Sequence, residues 1–223
     1  MTSSYGTGLR MRNKEQCNEG LDLMDLATSV GLIRGWLETN APGDFGRLNP
    51  PANRAEIRAV AANRFSLHAD LRELLMLHNG VHADRGLTGP GGFLPGGYFL
   101  LGSEEMKSGQ RDMEKAVAWS IEDDLVDFVV GGVAHVRWVP IAETHVGSQL
   151  VVDHRAGPDY GAVREIDASL EVWGIKRWGS LTEMFDVTYR ALADGTPVSD
   201  VVDEEIRAHL TKASDGAVHV EWK

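Results

Sequence analysis

Residues 50–80, PPANRAEIRAVAANRFSLHADLRELLMLHNG, decide the fold. Pro50 and Pro51 hold the chain extended, Asn53 caps the first turn of a helix, and Glu56, three residues on, brings negative charge to the helix N-terminus. Ile57, Val60, Ala61 and Phe65 then recur as one apolar face, with Arg54, Glu56, Arg58 and Arg64 on the other. A second helix follows, with Ser66 as its cap and Leu71, Leu74, Leu75 and His78 on one stripe. Gly80 is expected to supply the left-handed residue that ends it. Two helices that share a buried face need a layer to pack on.

Outward from this pair the pattern changes twice. On the N-terminal side, Leu26, Val30, Ile33 and Leu37 predict an amphipathic helix over residues 22–39, joined to the pair by the connector NAPGDFGRLNPP. On the C-terminal side, the glycine-dense residues 82–102 read as a long turn and a short strand. Ser103 is expected to cap a helix reaching Trp119, with Met106, Met113, Ala116 and Val117 inward. Strands are then predicted over residues 133–141, with Pro140 marking an edge or an end, and over residues 149–152. The turn residues Gly157, Pro158, Asp159 and Gly161 return the chain antiparallel over residues 162–166, and Leu170, Val172 and Trp173 add a further strand. Ser180 and Glu183 form a capping box for a helix that stops at Gly195. Beyond it, residues 198–210 read as a short helix and Val218, Val220 and Trp222 as a strand. Helices, then consecutive strands, then a helix, give an α+β class. The expected organisation is a tail over residues 1–20, a domain over residues 21–195 and an extension over residues 196–223.

With 223 residues, 43% hydrophobic and 25% charged, the chain suits one main core. Its formal net charge of −11 weighs against direct nucleic-acid binding and favours attraction to a basic partner protein. The single cysteine, Cys17, makes no internal disulfide, and no apolar run approaches the ~20 residues that cross a bilayer. The first twenty residues lack the apolar core of a secretory signal. Cytoplasmic residence without membrane association is the expectation.

Motifs that carry chemistry are thin. GLTGPGGFLPGG fails the dinucleotide pattern, because Leu94 stands where the third glycine counted from Gly89 belongs, and no Gly-Lys-Ser/Thr occurs. The eight histidines form neither H-x-H nor H-E-x-x-H, so His82 with Asp84 and Asp153 with His154 are the best metal-ligand candidates. The alternative reading gives those aspartates to turns, as backbone acceptors. There is no G-x-S-x-G elbow. Glu104–Glu105 and Asp123–Asp124 are adjacent and so diverge on a helix, which makes them solvated charges. Of the six tryptophans, Trp36, Trp138 and Trp178 lie in or beside apolar patterns and are expected in the core. No catalytic residue, metal or cofactor is assigned.

The order of PPA..AEI, LR.LL..HNG, G.FLPGGYFLLGSEEM, WVPIAETHVGSQLVVDHRAGPDYGAVREI and SLTEMFDVTYRAL, over residues 26–192, resembles the SUKH superfamily of fungal cell-wall assembly regulators and bacterial immunity proteins. Pro50-Pro51-Ala52, Asn79-Gly80, residues 138–142, Gly147, Asp153, and Gly161 with Val163 carry most of it. The chain departs from the family pattern at Leu67-His68, where a leucine-proline pair is usual, and near Val60 and Ala61, where a glutamate is usual. The resemblance implies an α+β binding domain without shared catalytic activity, commonly an immunity protein that neutralises a toxin, often a nuclease. The expected partner is a cognate toxin domain with a basic surface. Acidic and aromatic positions near loops, namely Asp84, Tyr98, Glu104, Glu105, Asp153, Asp159 and Tyr160, are the candidate contacts. A regulatory scaffold for growth or envelope assembly is the first alternative. The second is a metal- or ligand-binding enzyme using His82, Asp84, Asp153 and His154.

Overall fold

The computed structural model describes residues 23–62, 64–82, 91–168, 173–200 and 204–223. It is an α+β arrangement built on an antiparallel five-stranded sheet in the order β1-β2-β3-β4-β5, formed by Phe99–Leu100, Trp138–Glu143, Gln149–Asp153, Val163–Ile166 and Ile175–Trp178. Three helices cover one face: α1 (Leu26–Asn40), α4 (Ala69–Leu77) and α7 (Leu181–Asp194). Their stripes Leu26/Val30/Ile33/Leu37, Leu71/Leu74/Leu75 and Leu181/Met184/Phe185 meet Val139, Ile141, Leu150, Val152 and Val163 of the sheet in the main core. The short helices α2 (Pro42–Phe45) and α3 (Arg54–Val60) lie between α1 and α4 in sequence.

The other face carries a smaller core. Met113 of α5 (Ser103–Glu122) and Val129 of α6 (Val126–Val129) pack there on Trp138, Val151 and Ile166. Successive strand residues point to opposite faces, so β4 sends Val163 and Glu165 to the main core and Arg164 and Ile166 to the smaller one. A Cβ on Gly109 of α5 would come 3.0 Å from Cγ of Pro140. That close approach occurs where β1 has already ended, so proline's missing N–H costs no ladder bond on that side. Pro140 therefore sits inside an inner strand, at a register shift, and not at the sheet edge.

Several expectations need correction. Helix α3 stops at Val60, with Ala62 at φ 46, so Phe65 leaves the helix and reaches the His154 ring at 5.1 Å. The cap of α4 is His68, whose ring accepts from the Asp70 N–H, and not Ser66. Gly80 does not end α4, which closes at His78; a Cβ there would lie 2.3 Å from the Gly102 nitrogen. Asn79 caps α5 instead, accepting from the Ser103 N–H at 2.7 Å, while Ser103 itself is the first helical residue. The predicted 133–141 strand begins at Trp138. Residues 169–172 lie outside the described residues, and the next strand is β5. The expected helix at 198–210 is replaced by β6 (Val198–Ser199), β7 (Glu205–Ile206) and β8 (Ala208–Lys212), and β8 pairs with β9 (Val218–Trp222). This C-terminal hairpin is fastened to the domain. The Val220 N–H donates to Asp44 Oδ2 at 2.7 Å, and Trp222 Nε1 donates to the Phe93 carbonyl.

Candidate functional site

Asp153, at the end of β3, is fully buried. Burial pushes its carboxyl up, but hydrogen bonds from the Arg155 side chain and N–H and from Arg164 outweigh that and hold it below the usual carboxylate range. Arg155 Nη2 and Arg164 Nε reach Asp153 Oδ2 at 2.6 and 2.8 Å. Arg164 also donates to Asp159 Oδ2 at 2.6 Å and to the Gly174 carbonyl at 2.8 Å, and Lys176 reaches Asp159 Oδ1 at 3.0 Å. Both guanidinium groups lie over the Trp138 ring, at 5.2 and 5.9 Å. A Cβ on Gly174 would stand 2.4 Å from Trp138, so the bare glycine lets the chain cross the indole.

Beside this network His154 joins the sheet to α4. Its Nε2 accepts the His68 N–H at 2.9 Å, which leaves Nδ1 to donate to the Val152 carbonyl at 3.0 Å. Burial lowers its pKa to about 4, so the ring is neutral at pH 7. Tyr160 is 45% exposed and lies against the His68 ring at 5.0 Å. Gly161, at φ +89, passes so close to His68 that a Cβ would meet Nε2 at 2.5 Å.

On the opposite face of the sheet a second buried cluster lines a cleft of about 240 Å³. Tyr98 donates its hydroxyl to Glu165 Oε1 at 2.5 Å, and Arg177 Nε lies 3.2 Å from Glu165 Oε2. Burial raises the Glu165 carboxyl, with the Tyr98 bond and the Arg177 charge offsetting it only in part. Burial and the neighbouring Glu165 charge raise the Tyr98 hydroxyl. Arg177 is anchored further by donating to the carbonyls of Ser199 and Asp200.

Of the expected contact residues, the structure gathers Asp153, Asp159 and Tyr160 at one end of β3 and β4. Tyr98 and Asp153 are both buried, and their polar atoms bond internally. Glu105 is exposed, but its carboxylate accepts the Gly102 N–H at 2.7 Å and caps α5. Glu104 is exposed beside Lys107 at 3.1 Å. Asp84 lies outside the described residues. His82 is exposed, and its N–H donates to the Arg47 carbonyl. Asp153 and His154 already direct their side-chain atoms at protein partners. Sequence reasoning passed over Arg155, Arg164, Glu165 and Arg177. The available signal was V163-R-E-I166, a predicted strand whose two charged residues must point to opposite covered faces. Sequence reasoning also ended α5 at Trp119, whereas the helix runs to Glu122, and gave no role to the apolar residues 121, 125, 126 and 128.

No helix among the described residues is long and apolar enough to cross a membrane. Compared with protein-family models the sequence matches none, and compared with curated proteins it matches none either.

Proposed function

We propose that the chain is a non-enzymatic binding protein of the SUKH type, acting as an immunity protein that binds and neutralises a toxin domain with a basic surface. The observation that carries this reading is what the ionisable groups at the candidate site do. Asp153 is bound by two arginines, His154 has both ring nitrogens engaged, and Glu165 is bound by Tyr98 and Arg177. A general acid or base needs an atom that reaches substrate, and these atoms face protein. Arg164, fixed by Asp153, also bonds Asp159, and Tyr160 lies against the His68 ring, so both are positioned at the surface. The net charge of −11 supports steering toward a basic groove and tight electrostatic matching once docked.

The test is co-expression with the product of the adjacent gene. Rescue of growth together with co-purification supports immunity. A toxic neighbour whose effect persists, with no complex recovered, overturns it.

A further inference from the structure

Every residue from 119 to 128 except Ser120 is exposed, although the run WSIEDDLVDF holds five large apolar side chains. It forms the corner where α5 passes into α6. The turn is fixed by the backbone: Asp123 closes α5 by donating its N–H to the Trp119 carbonyl, and Asp124 takes a left-handed φ of 59. The Leu125 N–H then returns to the Ser120 carbonyl at 2.8 Å. Ser120, the one buried member, bonds the Val117 carbonyl. The corner is thus a defined surface, and its apolar side chains stay outside the adjoining core of Met113, Val129 and Trp138.

Trp119 and Ile121 are 52% and 65% exposed, and Phe128 is 41% exposed while meeting Trp173 edge to face at 4.4 Å. Trp173 is 41% exposed itself, and Ile175, two residues on, is 40% exposed, so the apolar surface continues from the corner onto the edge strand β5. Glu122, Asp123, Asp124 and Asp127 are interspersed in sequence among the apolar residues of the run, are exposed like them, and have no basic residue in the run to balance them. None of the four makes an ion pair among the described residues, whereas Asp112, further back on α5, is paired with Lys115. Behind the corner, Arg164 holds the Gly174 carbonyl, and Arg155 lies 3.3 Å from the position a Cβ would take on Gly131. The network therefore holds the segment that follows Trp173 through the Gly174 carbonyl and lies beside Gly131, just past Phe128.

We infer that the α5–α6 corner is a docking surface for a basic, apolar protein segment, with the aromatic residues as anchor and the four carboxylates as rim. Exposed apolar side chains bordered by polar residues mark an interaction site, and every charged residue of the 119–128 run is a carboxylate. Two copies of the chain would bring eight carboxylates into one contact, so the charge selects a cationic partner over a second copy. This inference rests on the binding-protein reading and adds the surface and the chemistry of the partner.

The probe is a synthetic helical peptide with leucines on one face and lysines on the other. It is compared with oligolysine and with a leucine–glutamate counterpart, and binding to the full chain is followed by tryptophan fluorescence and amide chemical shifts. The leucine–lysine peptide should bind with shifts centred on residues 119–128 and weaken as salt screens the rim. Neutralising the rim with E122Q, D123N, D124N and D127N together should weaken it by about tenfold or more. W119S alone, with native circular dichroism as the folding control, should weaken it by a comparable factor. Oligolysine binding as tightly, shifts centred on another face, or a dimer in sedimentation that W119S dissolves would each overturn the inference. Toxin rescue that survives the rim variant removes the corner and leaves immunity standing. Peptide binding at the corner without any toxin rescue does the reverse.

Discussion

Asp153 and Glu165 are buried carboxylates on neighbouring strands, facing opposite sides of one sheet, and their acidities move in opposite directions. Asp153 meets two arginines and a backbone N–H; Glu165 meets one arginine and one phenol. Burial raises both. In Asp153 the donors win, whereas in Glu165 they do not. The number and charge of donors within reach, measured against the same desolvation, set whether a buried acid's pKa moves down or up. Only the first kind can hold two cations in place.

The largest expected effect breaks the Asp153 side of the comparison. Asp153→Asn leaves two guanidinium groups facing an amide and should cost about 4 kcal/mol, within the range for opening a buried ion pair. Urea denaturation of the purified variant reads this directly.

Next comes acid. The folded pKa of His154 is lowered from 6.5 to about 4, so its contribution to stability is complete above pH 6.5 and is lost as pH falls from there toward 4. At ~1.4 kcal/mol per pKa unit the full loss approaches about 3 kcal/mol. Asp153, held below 3.8, keeps its full contribution above pH 3.8 and loses it as pH falls from there through its lower folded value. Glu165, raised above 4.5, has the opposite sign, with its contribution complete below pH 4.5 and lost as pH rises through its folded value. Stability measured from pH 7 to pH 4 should fall, and His154→Gln should remove most of that slope. An unchanged slope would show that the ring does not carry it.

Gly174→Ala tests the support beneath the network. At φ +52 and 2.4 Å from the Trp138 ring, the new Cβ should cost about 2 kcal/mol through strain and displacement of the indole. Loss of the Arg164 bond to the Gly174 carbonyl should appear as a shift of the Trp138 indole resonance. The smallest effect is on the other face. Glu165→Gln keeps an acceptor for Tyr98 and removes a charge the site holds poorly, so it should cost about 1 kcal/mol or less. A cost equal to that of Asp153→Asn would erase the distinction between the two sites.

The helices were legible because each carries its own signals. Asn53 with Glu56, Ser180 with Glu183, and the leucine stripes of α1, α4 and α7 act over three or four residues, within reach of a sequence pattern. The hairpin of β3 and β4 was legible for the same reason, through its turn residues. What failed was non-local. His68 displaced Ser66 as a cap because the Asp70 N–H finds its ring while the His68 N–H finds His154, 86 residues away. Gly80 reads as a helix stop in sequence, but the residue before it, Asn79, spends its side chain on Ser103, 24 residues on. Residues 198–210 of the extension read as a helix because their apolar spacing does not show that residues 208–212 have residues 218–222 to pair with. At the candidate site the aspartates attracted attention by their loop positions, yet their roles follow from arginines that the fold brings to them. Asp123 and Asp124 were read as solvated charges, but the apolar residues between 121 and 128 were given no role, because exposure of an apolar side chain is not written in a mixed acidic and apolar run.

Asp44 shows how late this fold can be completed. It is buried at the start of the chain's packed region, and its two oxygens accept from Gly91 and Val220, at sequence separations of 47 and 176. Burial raises its carboxyl, and these two N–H groups are what counter it. On a ribosome, Asp44 emerges long before its second donor has been made, so the nascent chain must keep this carboxylate in water while helices around it form. The last strand is therefore a latch on the first helices. Its closure joins residues 176 apart in sequence, and the high contact order of that step makes it a natural late event of folding.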